Sequence, residues 1–167
     1  SDTIILDTTP PTGTISINNG AQYTNSTSVT LILSASDAHS GVSKMQFSND
    51  GVVFSSEENY ATSKSWTLTG GDGTKTVYVR YKDNASNWSV SISDTIILDT
   101  TPPTGTISIN NGAQYTNSTS VTLILSASDA HSGVSKMQFS NDGVVFSSEE
   151  NYATSKSWTL TGGDGTK

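Results

Sequence analysis

Residues 28–36 read SVTLILSAS. Val29, Leu31, Leu33 and Ala35 alternate with Thr30, Ile32 and Ser34, so an extended chain carries the first set on one face and the second on the other. The stretch is therefore a strand with its apolar set toward a core. The same nine residues return at 120–128. Extending the comparison in both directions, residues 93–167 match residues 1–75 without a difference, which gives a period of 92 residues. That unit is too long for a solenoid repeat and suits a self-sufficient β-sandwich of about 100 residues.

No segment shows a 3.6-residue apolar period, and short alternating runs recur between Gly, Asn, Asp and Pro, as in an all-β sandwich. Working outward from 28–36, the spacing predicts further strands over 13–18, 42–48, 63–69, 76–81 and 89–98, the last kinked near Ser93 and Asp94. Val52–Ser55 is expected to pair back on 42–48 after a tight turn at Asn49-Asp50-Gly51. Met45, Phe47, Trp66, Leu68, Val77, Val79 and Tyr81 are expected to face the core. Asn18-Asn19-Gly20 ends the first strand, since Asn and Gly tolerate positive φ. Pro10-Pro11 marks a stiff boundary between units.

The composition narrows the function classes. With 15 acidic and 8 basic residues the net charge is −7, which argues against nucleic acid or anionic lipid as a partner. An acidic surface is compatible with Ca²⁺, a hard cation that prefers carboxylate and carbonyl oxygens. The chain has no cysteine, so neither a disulfide nor a thiolate metal site is available. No apolar run is long enough to span a bilayer. The absence of an initiator methionine or signal peptide leads us to expect a window on a longer, exported protein.

Each boundary reads LDTTPPTGTISI, followed by SASDAHSGVSKMQFSNDG and then SKSWTLTGGDGTKTVYVRYKDNASN. In this order and spacing the chain resembles the bacterial and archaeal immunoglobulin-like repeats found in tandem in giant adhesins and cell-surface proteins. The resemblance covers the whole period. It implies tandem Ig-like sandwiches of about seven antiparallel strands, without catalysis, that serve as spacers, stalks or adhesins, with Ca²⁺ stiffening some joints between domains. On this reading residues 1–9 end the last strand of a preceding repeat and lead into the linker. Residues 10–101 form a complete domain, and residues 102–167 form a second domain lacking its last two strands. The partners expected are neighbouring repeats, further copies of the chain in a filament, and surface glycans; the location expected is extracellular.

In such a sandwich the loops at 37–41 and 83–87 lie at the end where the chain enters, and the linker brings Asp7. Asp7, Asp37 and Asp83 then converge, with Asn84 and Asn87 as neutral oxygen ligands, a set suited to Ca²⁺. The alternative is that these side chains cap turns with their own backbone. In the second copy Asp99 and Asp129 stand at the places of Asp7 and Asp37, and the partner loop falls after Lys167. No other cofactor is expected. Asn25, Asn84, Asn87 and Asn117 each begin an N-x-[S/T] glycosylation pattern.

Catalysis is not expected. Asp37, His39 and Ser40 are neighbours in one turn, whereas a triad draws its residues from separate elements and needs an oxyanion hole. One histidine per repeat, His39 or His131, does not make a zinc site. Glu57 and Glu58 are adjacent and diverge, unlike paired glycosidase carboxylates. Trp88, beside the last loop, is positioned either to stack on a sugar or to pack against a neighbour. The expected function is a structural or adhesive repeat segment of a surface protein, stalk or filament, with a glycan- or protein-binding module as the alternative.

Overall fold

The structure, a computed structural model, describes residues 1–167. The chain divides into two units, Ser1–Thr100 and Thr101–Lys167.

The first unit has eight strands: β1 (Thr12–Ile17), β2 (Tyr23–Thr24), β3 (Ser28–Ser36), β4 (Val42–Ser48), β5 (Glu58–Asn59), β6 (Ser63–Thr67), β7 (Gly73–Asp83) and β8 (Ile92–Leu98). They form two sheets, ordered β1-β3-β6 and β2-β8-β7-β4-β5. All pairs are antiparallel except β2 with β8, where Tyr23 lies beside Ile97. The alternation in β3 is realised as expected: Val29, Leu31 and Leu33 are buried, while Thr30, Ile32 and Ser34 face solvent. Met45 and Phe47 of β4 and Val77, Val79 and Tyr81 of β7 fill the core from the facing sheet. Burying each large apolar side chain contributes about 1.5–3 kcal/mol. Phe47 and Trp66 meet with ring centroids 5.4 Å apart.

The turn after β1 follows the expected chemistry. Asn18, Asn19 and Gly20 have φ of 47°, 58° and 80°, and Asn18 Oδ1 accepts the Thr30 amide at 2.9 Å.

Val52–Ser55 is a correction, because it forms no strand. Asp50 Oδ1 accepts the amides of both Val52 and Val53 at 2.8 Å, so these N–H groups are unavailable to a ladder and both side chains point outward. Only Ser55 reaches β4, through its amide to the Phe47 carbonyl, and the pairing strand is β5 further along. The Ser48 hydroxyl and the Val52 and Val53 amides hold the Asp50 carboxyl below its ordinary range. The matching amides of Val145 and Val144, with the Ser140 hydroxyl, hold its copy Asp142 at about 2.

Four strands also differ at their boundaries: the one expected over 13–18 runs from Thr12 to Ile17, and the one expected over 63–69 ends at Thr67. The strand expected over 76–81 runs from Gly73 to Asp83, and the last strand begins at Ile92, with Trp88 making an isolated bridge to Lys82. Residues 1–11 form no strand. Ile4 is 95% exposed, whereas its copy Ile96 in β8 is 2% exposed. The two sit in identical sequence, and Ile96 is covered because β8 pairs with β7 and packs on the core.

The second unit repeats one sheet of the first. Strands β9 (Thr104–Ile109), β10 (Ser120–Ser128) and β13 (Ser155–Thr159) pair in the order β13-β10-β9, with the registers of β6-β3-β1. The copy of β4 shrinks to β11 (Lys136–Met137), which pairs only with β12 (Glu150–Asn151). Val121, Leu123 and Phe139 are the buried residues of this unit.

Tyr81 ties the two sheets of the first unit together. Its side chain is fully buried, its hydroxyl donates to the Thr14 carbonyl of β1 at 2.8 Å, and its ring meets Tyr60 edge-on at 5.9 Å. Gly13 makes room for it. A Cβ there would lie 2.5 Å from both Tyr81 Cε2 and the Ser34 carbonyl oxygen. Gly13→Ala should therefore destabilise this unit by about 1–3 kcal/mol, the usual cost of overpacking, and Tyr81→Phe by about 1 kcal/mol for the lost bond. Residues 76–92 occur once in the chain, so amide exchange of Val77–Tyr81 in urea reports on this unit alone. Unchanged protection in Gly13→Ala would disprove the steric constraint.

Candidate functional site

Two residues beyond Tyr81, β7 ends at Asp83, whose side chain is 1% exposed. A buried carboxylate needs hydrogen-bond donors, and the following turn supplies them. Asp83 Oδ1 accepts the Asn87 amide and Oδ2 accepts Asn87 Nδ2, both at 2.8 Å. The turn closes through Ser86 at φ 76° and through the Asp83 amide donating to the Asn87 carbonyl at 3.1 Å.

The loop after β3 is built on the same principle. Asp37 Oδ1 accepts the amides of His39, Ser40 and Gly41 at 3.0, 2.8 and 2.9 Å. Burial raises the Asp37 carboxyl, but the Ser40, His39 and Gly41 amides together outweigh burial and hold it below its ordinary value of 3.8. Asn84 joins the two loops, its amide donating to the Gly41 carbonyl at 3.1 Å and its Nδ2 to the Ser40 carbonyl at 2.7 Å.

The linker docks onto this pair of loops. Asp7 Oδ2 accepts the Ser40 amide at 3.1 Å and Oδ1 accepts the Thr9 amide at 3.0 Å. The Asp7 carbonyl accepts Asn87 Nδ2 at 3.0 Å. Asp7 is itself buried, although its neighbours Ile4–Leu6 are exposed. Carboxylate oxygens of Asp7, Asp37 and Asp83 lie within 4.8 Å of one another. The ion pairs of the first unit, Lys64 with Glu58 and Lys82 with Glu57, lie elsewhere.

The structure thus brings together Asp7, Asp37, Asp83, Asn84 and Asn87. The two asparagines face the site through their NH₂ donors. All three carboxylates accept backbone amides, which is the turn-capping alternative. Asp129 caps His131 and Gly133 in the second unit as Asp37 does in the first. Asp99 is buried at the end of β8, where its amide donates to the Thr24 carbonyl. Of the glycosylation candidates, Asn25 and Asn117 are exposed, whereas Asn84 Nδ2 and Asn87 Nδ2 are engaged in the bonds above. Asp37 meets the His39 backbone amide, and no bond joins its carboxylate to the imidazole.

Sequence reasoning missed the part played by the Ser40 amide, shared between Asp7 and Asp37; the S-D-x-x-S spacing of an Asx turn is the signal for it. It also missed a surface stack. Arg80 lies 4.4 Å from the Phe54 ring and 4.8 Å from the Trp88 ring, with Lys82 5.5 Å from the latter. Gln46 Oε1 accepts from both Arg80 Nε and Nη2. The alternation of Arg80 and Lys82 on the outward face of β7 was the available cue.

A family model described as bacterial Ig domain matches residues 11–79 and 102–167. Asp37 lies inside the matched residues, while Asp7, Asp83 and Asn87 lie outside, so the cluster is a reading of this chain's own residues. Among solved structures, the PKD1 domain of Epp from Vibrio anguillarum is similar at 16% identity and a TM-score of 0.42, covering 56% of this chain and 98% of its own. No curated protein matches the chain.

Asp7→Ala removes the acceptor that fixes the linker. Backbone order parameters of Thr8 and Thr9 should fall from the rigid range near about 0.85 to below about 0.6, with Val77–Tyr81 unaffected; an unchanged linker would refute the docking role. Because the Asp37 value is depressed on folding, its contribution to stability is present above the unfolded value of 3.8 and lost as pH falls below it. Amide resonances of His39–Gly41 should shift in that acid range, and Asp37→Asn should abolish the transition.

Proposed function

Because the chain belongs to the bacterial Ig domain family, we propose that it is a structural segment of a large extracellular surface protein, a stalk or filament built by tandem repetition. The observation that carries this reading is the exact 92-residue repeat, together with the fixing of linker residue Asp7 to the loops of the domain it enters. A linker held at both its side chain and its carbonyl loses freedom, and a string of domains so joined is stiffer than one on flexible tethers. The same aspartate recurs one period on, as Asp99. A mechanical role suits identical copies, since every unit then bears load in the same way. No helix is long and apolar enough to cross a membrane.

The glycan-binding alternative has less support, since two cations already lie over the Trp88 ring and compete with a sugar for its face. Pulling on single chains tests the mechanical role: the complete first unit should unfold in one cooperative force peak, and Asp7→Ala should lengthen the compliant stretch before it. Extension without a force peak, or tight binding of the chain on a glycan array, would count against a structural segment.

Calcium at the three carboxylates is a second reading, favoured by one observation. Asp7 and Asp83 are buried within 4.8 Å of Asp37, and neither Lys nor Arg neutralises them. Oxygen-rich, anionic and partly enclosed, the set fits a hard cation. On this reading, millimolar Ca²⁺ raises the melting temperature of the first unit, a chelator reverses the gain, and Asp83→Asn abolishes it. Superimposable melts with Ca²⁺ and with chelator would leave the backbone amides and Asn87 Nδ2 as the partners of these carboxylates.

A further inference from the structure

The outer face of the β1-β3-β6 sheet carries no charge, in a chain whose net charge is −7. On β1 the outward residues are Thr12, Thr14 and Ser16. On β6 they are Ser63, Ser65 and Thr67. On β3 every outward position from Ser28 to Ser36 bears a hydroxyl except Ile32. The registers align them in rows across the sheet: Thr14 faces Ser34, Ser16 faces Ile32, and Ile32 faces Ser63. Neighbouring rows are about 6.6–6.8 Å apart along a strand, and strands are about 4.8 Å apart. The second unit carries the same face with the same registers, Ile124 taking the place of Ile32.

We propose that this face is a self-association surface, and that its occupant is the same face of a second copy of the chain. Charge argues for a copy of itself. Two molecules of this acidic chain repel each other, and on this face they meet without bringing carboxylates together. Shape argues the same way. Ile32 is 37% exposed and projects between Ser16 and Ser63, the smallest side chains of its row after the register is taken into account. A two-fold arrangement seats each Ile32 in the Ser-lined trough of the partner, and such a contact is self-complementary by symmetry. Short side chains let the sheets approach to about 10 Å, the ordinary spacing of stacked sheets. Each Ser or Thr hydroxyl both donates and accepts, so two opposed hydroxyl faces satisfy one another without a fixed polarity. Repetition of the face along the chain makes the contact multivalent, so weak pairing per domain adds up along the array.

The inference does not depend on the surface-segment reading. A stalk can be single-stranded, and copies can pair in a protein that is no stalk.

The absence of cysteine makes the test direct. In the full chain, Ser34→Cys places one thiol on the proposed face. Thr95→Cys places one on the outer face of the other sheet, where Thr95 pairs Thr76 and is exposed. A short bismaleimide should join Ser34→Cys into dimers at least about tenfold faster than Thr95→Cys. About 1 M salt should leave the rate intact, since no ion pair is involved. Adding Ile32→Lys and Ile124→Lys, both at exposed positions, should return it to the Thr95→Cys level while circular dichroism stays unchanged. Equal rates for the two thiols would overturn the proposal. So would dimerisation that survives the paired lysines, which would place the contact away from this face. Retention of monomeric chain by insoluble neutral polysaccharide, lost on the lysine substitutions, would overturn it too by assigning the face to a glycan.

Discussion

The first unit is organised by one buried phenol. Tyr81 places its ring in the space left by Gly13 and sends its hydroxyl to the Thr14 carbonyl, so one side chain fixes the separation and the relative alignment of the two sheets. Burial raises the Tyr81 hydroxyl well above its ordinary pKa, so it remains a neutral donor at any pH the protein meets. Losing the bond would leave the buried Tyr81 hydroxyl without its acceptor, and an unpaired buried donor carries a desolvation penalty. A glycine on one sheet and a tyrosine on the other are therefore a single constraint expressed at two positions far apart in sequence.

That constraint reaches the linker through a short covalent path. Tyr81 and Asp83 lie on the same side of β7, both inward and both buried. Fixing the first fixes the second, and Asp83 in turn organises its turn around Asn87. Asn87 Nδ2 then serves two acceptors, the Asp83 carboxylate and the Asp7 carbonyl, and so transmits the position of a core strand to the entering chain. Asp37 does the same from the opposite sheet through the Ser40 amide. The linker is thus held by both sheets at once, and its orientation follows from the core packing.

Much of this was legible in the sequence, because period-two alternation is a local signal. It located β3 and β4 to the residue, and the Asn18-Asn19-Gly20 turn was written in residue types that accept positive φ. The convergence of Asp7, Asp37 and Asp83 followed from topology. What sequence could not supply depends on partners. Val52–Ser55 reads as a strand until Asp50 takes its amides. Asn84 and Asn87 were read as oxygen ligands, but residue type does not say which end of an amide faces a site.

The same dependence creates a hazard that the linker answers. Adjacent units of identical sequence offer each other perfect substitutes for every strand, and strand exchange between neighbours is a characteristic failure of repeat proteins. Pro10 and Pro11 lack amide hydrogens and interrupt any ladder running into β1. A continuous strand cannot run from one domain's end into the next domain's beginning. Docking Asp7 then settles where the first unit starts, because its side chain and carbonyl are held by the Ser40 amide and Asn87 Nδ2 just before β1 begins. Identical repeats remain distinct domains because the boundary, and not the core, carries the positional information.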